Sequence, residues 1–439
     1  MNMNFEKSAS YFQRALNIMP SGNTRSTLNS KPHPIYIEKG AGQFVTDVDG
    51  NKYLDFSNNF TTLIHGHSFP PVVEALKAQV EKGLCFGNPT TSEVDFAELL
   101  CERSPYFENI RFMNTGSEAV MNAVKAARAI TGRSKIAKYE GGYHGNYDVV
   151  EVSTDPTPSK WGSDGIYNQV AYHKGTPNSV LSDAIIFPVN DINGARKILA
   201  AHADSIAAIL IDPIAASSGL PEVSRDYLLF LREFSHENGI ILISDEVLSF
   251  RNGYSGAMAN FDIEPDLCAF GKVIGGGLPI GAVAGRKNMM GIFDPNLGSD
   301  GVRQSGTFTA NPVSMIAGYT AMQYWTKSAV AELNELGLHL REAMARAISD
   351  ANAPFQVTCT GSIARLHFKA IQQRDYRTAY LCKEEQTIMA RFLRALLQRG
   401  ILSHPAGMFC LSTPMCLDDI TQLEDAMKSA FLELKNHGL

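Results

Sequence analysis

Short apolar runs alternate with amphipathic stretches along the middle of the chain, from about residue 109 to 286. The runs have the length of strands and read NIRFMN, KIAKYE, DAIIFPV, IAAILIDP, GIILISDE and DLCAFG. Between them, 117–131 and 224–237 place apolar side chains at helical spacing. Strands that alternate with helices favour a mainly parallel sheet covered on both faces, which binds its ligand at the carboxyl ends of the strands.

The start and the end of the chain predict further structure on either side of this region. A helical pattern comes first, followed by a hairpin around Asp49-Gly50. The last part of the chain mixes helices with short strands, among them RLHF and MFCLS. Because 439 residues exceed one ordinary domain, we expect an α/β protein. It would have an N-terminal segment over 1–62, a large domain over 63–312 and a smaller α+β domain over 313–439.

Composition excludes several classes of protein. A net charge of −6 gives no indication of nucleic-acid binding. No apolar run is long enough to cross a bilayer, and the amino terminus has no signal-peptide core. The seven cysteines are scattered, which favours reduced thiols in the cytoplasm over a disulfide framework. The pair His65 and His67 lacks acidic or cysteine partners at a useful spacing, so we expect no metal site.

The segment FGKVIGGGLPIGAVAG, residues 270–285, sets one lysine, Lys272, among glycines and uncharged side chains. A lysine at a strand end commonly lays its stem along apolar groups and keeps its ammonium in water. A phosphate-binding loop would need its glycines before the lysine, whereas here they follow it. A third interpretation is an amine whose pKa is lowered by burial, so that it can condense with an aldehyde. This segment alone does not decide between the first and the third.

Two glycine-containing turns follow the first two strands of the alternating region. RFMNTGSEAVMNAV predicts a helix that begins at Gly116 and Ser117, where free amides and the helix dipole bind an anion well. The simpler interpretation is that Ser117 only caps the helix. YEGGYHGNYD places Tyr143 between glycines, so the backbone can bring an aromatic ring close to a flat ligand. An ordinary turn with an incidental aromatic side chain is the alternative.

The strand ILISDEVLSF ends in two acids, Asp245 and Glu246. A carboxylate there is costly unless it meets a cation, and a protonated pyridine nitrogen would be one. A helix cap or an arginine partner is the alternative. Together, the anion site, the aromatic ring, the carboxylate and the lysine are what pyridoxal phosphate requires, and we predict it as the cofactor.

These motifs resemble those of a known family. ILISDEVLSF and EPDLCAFGKVIGGGLPIGAVAGR look like the signature of the class III aminotransferases, which are fold type I pyridoxal-phosphate enzymes. RFMNTGSEAVMNAVKAARAITGRSKIAKYEGGYHGNYD is similar to the matching region of glutamate-1-semialdehyde 2,1-aminomutases and of the β-amino-acid aminotransferases near them. SGTFTANP, 305–312, resembles the stretch whose threonine reaches the cofactor phosphate of the neighbouring subunit. MPSGNTRS, 19–26, resembles a segment with a substrate-binding arginine.

The resemblance spans nearly the whole chain and implies a role for each matching residue. Lys272 would form a Schiff base with the cofactor, and Asp245 would pair with its pyridinium nitrogen. The other implied roles are phosphate binding by Gly116 and Ser117, ring stacking by Tyr143, phosphate binding across a dimer interface by Thr307, and substrate binding by Arg25. Residues 63–312 would then bind the cofactor, and 1–62 would contribute to the small domain and the substrate entrance.

The chain departs from the family pattern at two positions. The family usually has Glu-Pro after the fourth strand, and this chain has the shorter acid in Asp212-Pro213. The β-phenylalanine-type enzymes carry an arginine where this chain has Ala406, which argues against a pocket of that kind for both carboxylate and side chain.

The resemblance implies an aminotransferase that acts on an amino acid whose amine is not α, with a keto acid as acceptor. Its partners would be these small molecules and a second copy of the chain, without nucleic acid, membrane or metal. A glutamate-1-semialdehyde 2,1-aminomutase has all the motifs quoted and is the alternative. A regulatory protein with an aminotransferase-like body would usually add a DNA-binding module or lack the lysine, and this chain keeps Lys272 and has no spare segment.

Overall fold

The computed structural model of the chain describes residues 3–368 and 371–436. It divides into two compact units. The larger unit comprises Pro71–Val330 and Gln372–Tyr380, and the smaller comprises Met1–Pro70, Ala331–Ile371 and Leu381–Leu439. The larger unit therefore extends past the expected domain boundary at residue 312. It also includes a short segment from the C-terminal part of the chain.

Strands and helices follow one another along the chain as follows. The strands are β1 (Ile37–Ala41), β2 (Phe44–Asp47), β3 (Lys52–Asp55), β4 (Asn109–Met113), β5 (Lys135–Tyr139), β6 (Ala184–Phe187), β7 (Ile206–Ile211), β8 (Ile241–Asp245), β9 (Leu267–Gly271), β10 (Gly281–Gly285), β11 (Gln356–Thr360), β12 (Ile363–His367), β13 (Ile401–Leu402) and β14 (Met408–Cys410). The helices are α1 (Glu6–Leu16), α2 (Asn58–Thr61), α3 (Pro70–Lys82), α4 (Thr91–Cys101), α5 (Gly116–Thr131), α6 (Asp148–Glu151), α7 (Asn178–Ser182), α8 (Ile192–Ala200), α9 (Arg225–Glu237), α10 (Lys287–Met290), α11 (Pro312–Tyr324), α12 (Lys327–Asp350), α13 (Tyr376–Ala379), α14 (Lys383–Leu397) and α15 (Leu417–Asn436).

The larger unit is built on a seven-stranded sheet in the order β4-β10-β9-β8-β7-β5-β6. The six strands predicted from the apolar runs are all present in it, and they run parallel to one another. β10 runs antiparallel between β4 and β9, and it is the one reversal in the sheet. The prediction of a mainly parallel sheet is thus confirmed. The reversed strand was missed because its residues, GAVAG, are too small and too uniform to indicate a strand.

Helices cover both faces of this sheet. On one face, buried side chains of α5 pack against strands from β5 to β10, in a cluster that includes Val120, Val124 and Val283. On the other face, α8 and α9 pack against β5 to β8, with Leu199, Leu228 and Leu231 completely buried. These two apolar layers fix the orientation of the strands and therefore the position of the sheet edge at which they end.

The smaller unit contains a four-stranded sheet, β1-β2-β3-β13, and a three-stranded sheet, β11-β12-β14. The predicted hairpin is confirmed, since β2 and β3 pair antiparallel around the Asp49-Gly50 turn. α2 is an unusual single turn, because all four of its residues, Asn58–Thr61, have positive φ between 46° and 75°. None of the helices in the described residues is long and apolar enough to span a membrane.

Candidate active site

The candidate site lies at the carboxyl-end edge of the seven-stranded sheet. Because β4, β5, β7, β8 and β9 are parallel, the residues that follow them emerge at the same edge. Those residues include Gly116 after β4, Tyr143 after β5, Asp245 at the end of β8 and Lys272 directly after β9. The fold therefore brings four separate sequence motifs to one place.

The helix α5 begins at this edge and offers its first amides. Thr115 caps the helix through its Oγ1 atom, which accepts a hydrogen bond from the amide of Glu118 at 3.1 Å. The cap is thus Thr115 rather than Ser117, and it leaves the amides of Gly116 and Ser117 to other acceptors. The helix is sixteen residues long, and its first turn suits a phosphate group.

The loop after β5 is tied to the start of α5 and to the loop after β7. The Oγ atom of Ser117 accepts a hydrogen bond from the amide of Asn146 at 3.1 Å. The amide of Tyr143 donates to the Oγ atom of Ser217 at 2.8 Å. The ring of Tyr143 is half exposed, and burial of its hydroxyl raises its pKa, with further raising by Tyr172, Glu151 and Asp245.

Asp245 is buried, with 5% of its surface exposed, and two hydrogen bonds orient its carboxylate. His144 lies 2.7 Å away, Nδ1 to Oδ2, and the amide of Val247 donates to Oδ1 at 3.0 Å. Burial lowers the pKa of His144, while the carboxylate of Asp245 opposes this shift. The neutral imidazole therefore donates from Nδ1 to the carboxylate of Asp245.

The neighbouring acid, Glu246, has a different environment. It is buried, and its carboxylate accepts hydrogen bonds from the amides of Ala257 and Met258 and from the hydroxyl of Ser249, at 2.8–3.0 Å. These donors hold the turn around residue 257 and occupy the carboxylate. The structure thus separates the two acids of the motif, since Glu246 stabilises a loop and Asp245 remains available to a ligand.

Asp212, one of the two departures from the family pattern, follows β7 beside Asp245. Its carboxylate accepts hydrogen bonds from the amides of Ile214 and Ala216 at 3.2 and 2.9 Å. Burial, and after it the charge of Asp245, raise the pKa of Asp212 to about 7.

Lys272 stands directly after β9, in the left-handed region at φ 48°, and is partly buried. The residue before it, Gly271, lies against the start of α5. A Cβ atom built on Gly271 would come within 3.3 Å of the Cα atom of Gly116. The amine is thus carried by backbone that touches the helix start predicted to bind phosphate.

Arg25 belongs to the smaller unit and is exposed. Its Nη1 atom donates to the Oδ1 atom of Asn59 at 3.1 Å, and its guanidinium lies 4.3 Å from the ring centre of Phe60. Both partners come from the left-handed turn α2, which Asn58 anchors by donating from Nδ2 to the carbonyl oxygen of Cys410 at 2.7 Å. The contacts orient the guanidinium and use one of its five N–H donors.

Thr307 is exposed in the segment that precedes α11. Its carbonyl oxygen accepts a weak hydrogen bond from the Sγ atom of Cys85 at 3.8 Å. Leu84, Phe86 and Phe308, which lie close to these two residues in the chain, are each more than half exposed. Thr307 therefore lies beside an apolar part of the surface. In the described part of the chain, its hydroxyl forms no hydrogen bond with a predicted site residue.

The groups at the sheet edge fit pyridoxal phosphate. They comprise a helix start for the phosphate, a buried carboxylate held by two neutral donors for the pyridinium, and a lysine for the aldehyde. Sequence reasoning missed the part played by His144, which pairs with a residue 101 positions away. A histidine that stands with Tyr143 between Gly142 and Gly145, in the loop after a buried strand, was the available signal. Among the residues that the structure describes, no group of acidic, histidine and cysteine side chains could hold a metal ion.

Comparison with known proteins identifies the family of the chain. Residues 26–430 match the model of the aminotransferase class-III family. A glutamate-1-semialdehyde 2,1-aminomutase of Methanothermobacter thermautotrophicus is 36% identical over 405 residues, which are 92% of this chain and 93% of that protein. An omega-transaminase from Sphaerobacter thermophilus is 44% identical, covers 97% of both chains and superposes with a TM-score of 0.94.

A β-phenylalanine aminotransferase from Variovorax paradoxus is 32% identical, covers 99% of this chain and 94% of that chain, and has a TM-score of 0.87. The resemblance seen in the motifs is thus confirmed over nearly the whole chain, and with it the fold type I architecture. The chain belongs to the class III aminotransferases, a family of pyridoxal-phosphate-dependent enzymes.

Proposed function

We propose that the protein transfers an amino group between an amino acid whose amine is not α and a keto acid. The observation that carries the chemistry is the convergence of Lys272, Asp245 and the start of α5 at one sheet edge. The omega-transaminase, at 44% identity, supports a non-α donor more strongly than the aminomutase, at 36%, supports a mutase.

Each group at the edge has a part in this proposal. Pyridoxal phosphate, when bound, supplies an aldehyde that condenses with amines and a ring that accepts the electrons released at the substrate carbon. The amine of Lys272 would hold the cofactor through its aldehyde and, once free, would move a proton to and from the substrate carbon. The carboxylate of Asp245, held by His144, would pair with the ring nitrogen and favour its protonated form.

The remaining residues bind and orient. The amide of Gly116 and the amide and hydroxyl of Ser117 would hold the phosphate, and the ring of Tyr143 would stack on the cofactor ring. Arg25 binds the substrate carboxylate, which its unused N–H donors can meet in a bidentate pair. Ala406 offers no second guanidinium, so we propose that one arginine carries this recognition.

A second copy of the chain completes the site in this proposal. The hydroxyl of Thr307 would reach the phosphate held by the partner, and the exposed apolar side chains of Leu84, Phe86 and Phe308 would be covered in the homodimer.

The aminomutase is the second candidate because the curated relatives at about 36% identity have that name. The two activities differ in whether nitrogen leaves the substrate skeleton. Purified protein should be incubated with 15N-labelled β- and ω-amino acids and an unlabelled keto acid. We expect the label in the amino acid formed from the keto acid. Rearrangement of glutamate-1-semialdehyde without a keto acid, and no label transfer, would replace the transferase by the mutase.

A further inference from the structure

A short segment from the C-terminal part of the chain packs against the residues that precede Tyr143 and His144 in the loop after β5. This segment, residues 372–380, belongs to the larger unit and is here called the return segment. Its single helical turn, α13, is stabilised by a capping box in which Asp375 Oδ1 accepts from the amide of Thr378 at 2.9 Å and Thr378 Oγ1 accepts from the amide of Asp375 at 3.1 Å. The segment therefore has a defined local structure and can fix the position of the residues that it contacts.

Arg377 joins the return segment to Glu140 through a bidentate ion pair. Its Nε and Nη2 atoms donate to the two carboxylate oxygens of Glu140 at 2.7 and 3.0 Å. The guanidinium also lies 4.3 Å from the ring centre of Tyr167 and 5.3 Å from that of Trp161. Glu140 is 4% exposed, so this bidentate pair compensates a buried charge.

Tyr376 fixes the residue that follows Glu140. Gly141 has φ +76°, and a Cβ atom built on it would lie 2.1 Å from the Cδ2 atom of Tyr376. The ring thus presses directly on the backbone of Gly141. The Tyr376 hydroxyl donates to Asp155 at 2.6 Å, which holds the ring in place.

Glu140 and Gly141 lead directly into Tyr143 and His144. The carbonyl oxygen of Glu140 accepts from the Oγ atom of Ser218 at 2.9 Å, so the entry to this loop is held on both sides. The orientation of Tyr143 and the 2.7 Å contact between His144 and Asp245 therefore depend on where Glu140 and Gly141 are held.

We propose that the return segment is a positioning element for the cofactor site, with Arg377 and Tyr376 holding the loop that carries Tyr143 and His144. The proposal rests on the proposed function for its consequence at the cofactor. Arg377 acts through Glu140 and touches neither cofactor nor substrate. None of the motifs that resemble the family includes this segment, and its contacts join positions 237 residues apart.

The test compares Arg377→Met with Arg232→Met. Arg232 forms an ion pair with Asp266 at 3.0 Å, its side chain is 18% exposed against 17% for Arg377, and Asp266 precedes β9 at the opposite edge of the sheet. Hydrogen exchange is measured on the apoprotein, in a peptide that spans residues 140–147. We expect exchange to be at least about tenfold faster in Arg377→Met and unchanged in Arg232→Met.

The second measurement is the visible circular dichroism and the dissociation constant of added pyridoxal 5′-phosphate. We expect Arg377→Met to weaken binding by about tenfold or more and to reduce the dichroic band, while Arg232→Met changes neither. Arg377→Lys keeps the charge without the bidentate fork and should give an intermediate result, also if Arg377→Met fails to fold. Unchanged exchange and unchanged dichroism in both Arg377 variants would overturn the proposal, as would equal effects in Arg232→Met.

Failure of the proposed function has a different signature. If borohydride does not attach the cofactor to Lys272 in the wild-type protein, the proposed site is wrong, and the proposal for the return segment is wrong with it. If borohydride attaches the cofactor and the Arg377 variants behave as wild type, only the return segment is misassigned.

Discussion

Asp245 and Arg25 are the two charged side chains to which we assign ligand recognition, and the chain holds them in opposite ways. Asp245 is 5% exposed, and His144 and Val247 each donate a hydrogen bond to it. Arg25 is exposed and is held by one hydrogen bond and one aromatic ring. One group is fully oriented before a ligand arrives, and the other keeps most of its donors for the ligand.

The difference in burial implies that the two side chains act on different steps, one on turnover and the other on substrate affinity. A buried, oriented charge acts on the electrons of the bound cofactor, because its field is weakly screened and needs no rearrangement. An exposed guanidinium is screened by water and acts on the binding of an incoming anion. Substitutions at the sheet edge should therefore change turnover, and substitutions at exposed positions should change affinity.

The largest effect is expected at Lys272. Lys272→Ala removes the amine to which we assign covalent cofactor binding and proton transfer, so steady-state turnover should disappear. The backbone already has φ 48° with a Cβ atom present, so alanine adds no new strain. Turnover and borohydride trapping are measured on the purified variant. Near-normal turnover would remove the basis of the whole assignment.

Asp245→Asn comes next. Loss of the charge lets the ring nitrogen lose its proton, and we expect turnover to fall by two to four orders of magnitude, about 3–5 kcal/mol of transition-state stabilisation. The amide oxygen can still accept from Val247, but the hydrogen bond donated by His144 is lost, so the thermal midpoint should fall as well. Stopped-flow measurement of the first half-reaction gives the rate directly.

Glu246→Gln is the matched comparison at the adjacent position. Its carboxylate accepts from Ala257, Met258 and Ser249, and an amide cannot accept all of these bonds. We expect a lower thermal midpoint and a much smaller loss of turnover than in Asp245→Asn. Equal losses of turnover in both variants would contradict the division of roles between the two acids.

Arg25→Ala should act on affinity. The Michaelis constant for carboxylate donors should rise by about ten- to a hundredfold, since a charge-assisted hydrogen bond contributes about 1.5–3 kcal/mol. Simple amines without a carboxylate should lose little, and cofactor binding should be unchanged. Arg14→Ala is the control, because Arg14 also lies over an exposed ring, that of Tyr11 at 5.2 Å. An equal loss for both kinds of donor would show that Arg25 does not bind the carboxylate.

The sequence was sufficient to predict the sheet and the strand-end residues, for a physical reason. Apolar strands of five or six residues are recognisable one at a time, and parallel pairing alone brings their carboxyl ends together. Lys272, Asp245 and Gly116 therefore needed no knowledge of long-range contacts.

The supporting contacts could not be predicted in this way. His144 with Asp245, and Arg377 with Glu140, join loops whose approach depends on register and on loop conformation. Thr115 rather than Ser117 caps α5, because the cap is decided by backbone geometry and not by residue type alone. Residue propensities likewise do not predict the left-handed turn at Asn58–Thr61. Four consecutive residues with side chains adopt positive φ only where tertiary contacts hold them.

The smallest effect is expected at Thr307. Thr307→Val removes one hydroxyl from an exposed residue, and the dissociation constant of pyridoxal phosphate should rise by about three- to tenfold. Thr309→Val is the control, since the Oγ1 atom of Thr309 already lies 3.4 Å from Nδ2 of Asn114 within the same chain. Fluorescence titration of the apoprotein gives both constants.

Mixing two variants tests whether Thr307 serves the partner. A mixed dimer of Lys272→Ala and Thr307→Val chains has one site with the intact lysine of one chain and the intact threonine of the other. If the threonine acts across the interface, that site is wild type, and tight cofactor binding should return on mixing. If it acts within its own chain, no site in the mixed dimer is intact and nothing returns. Thr307 would then contribute to the cofactor site of its own chain. Sedimentation of the mixture verifies that dimers formed.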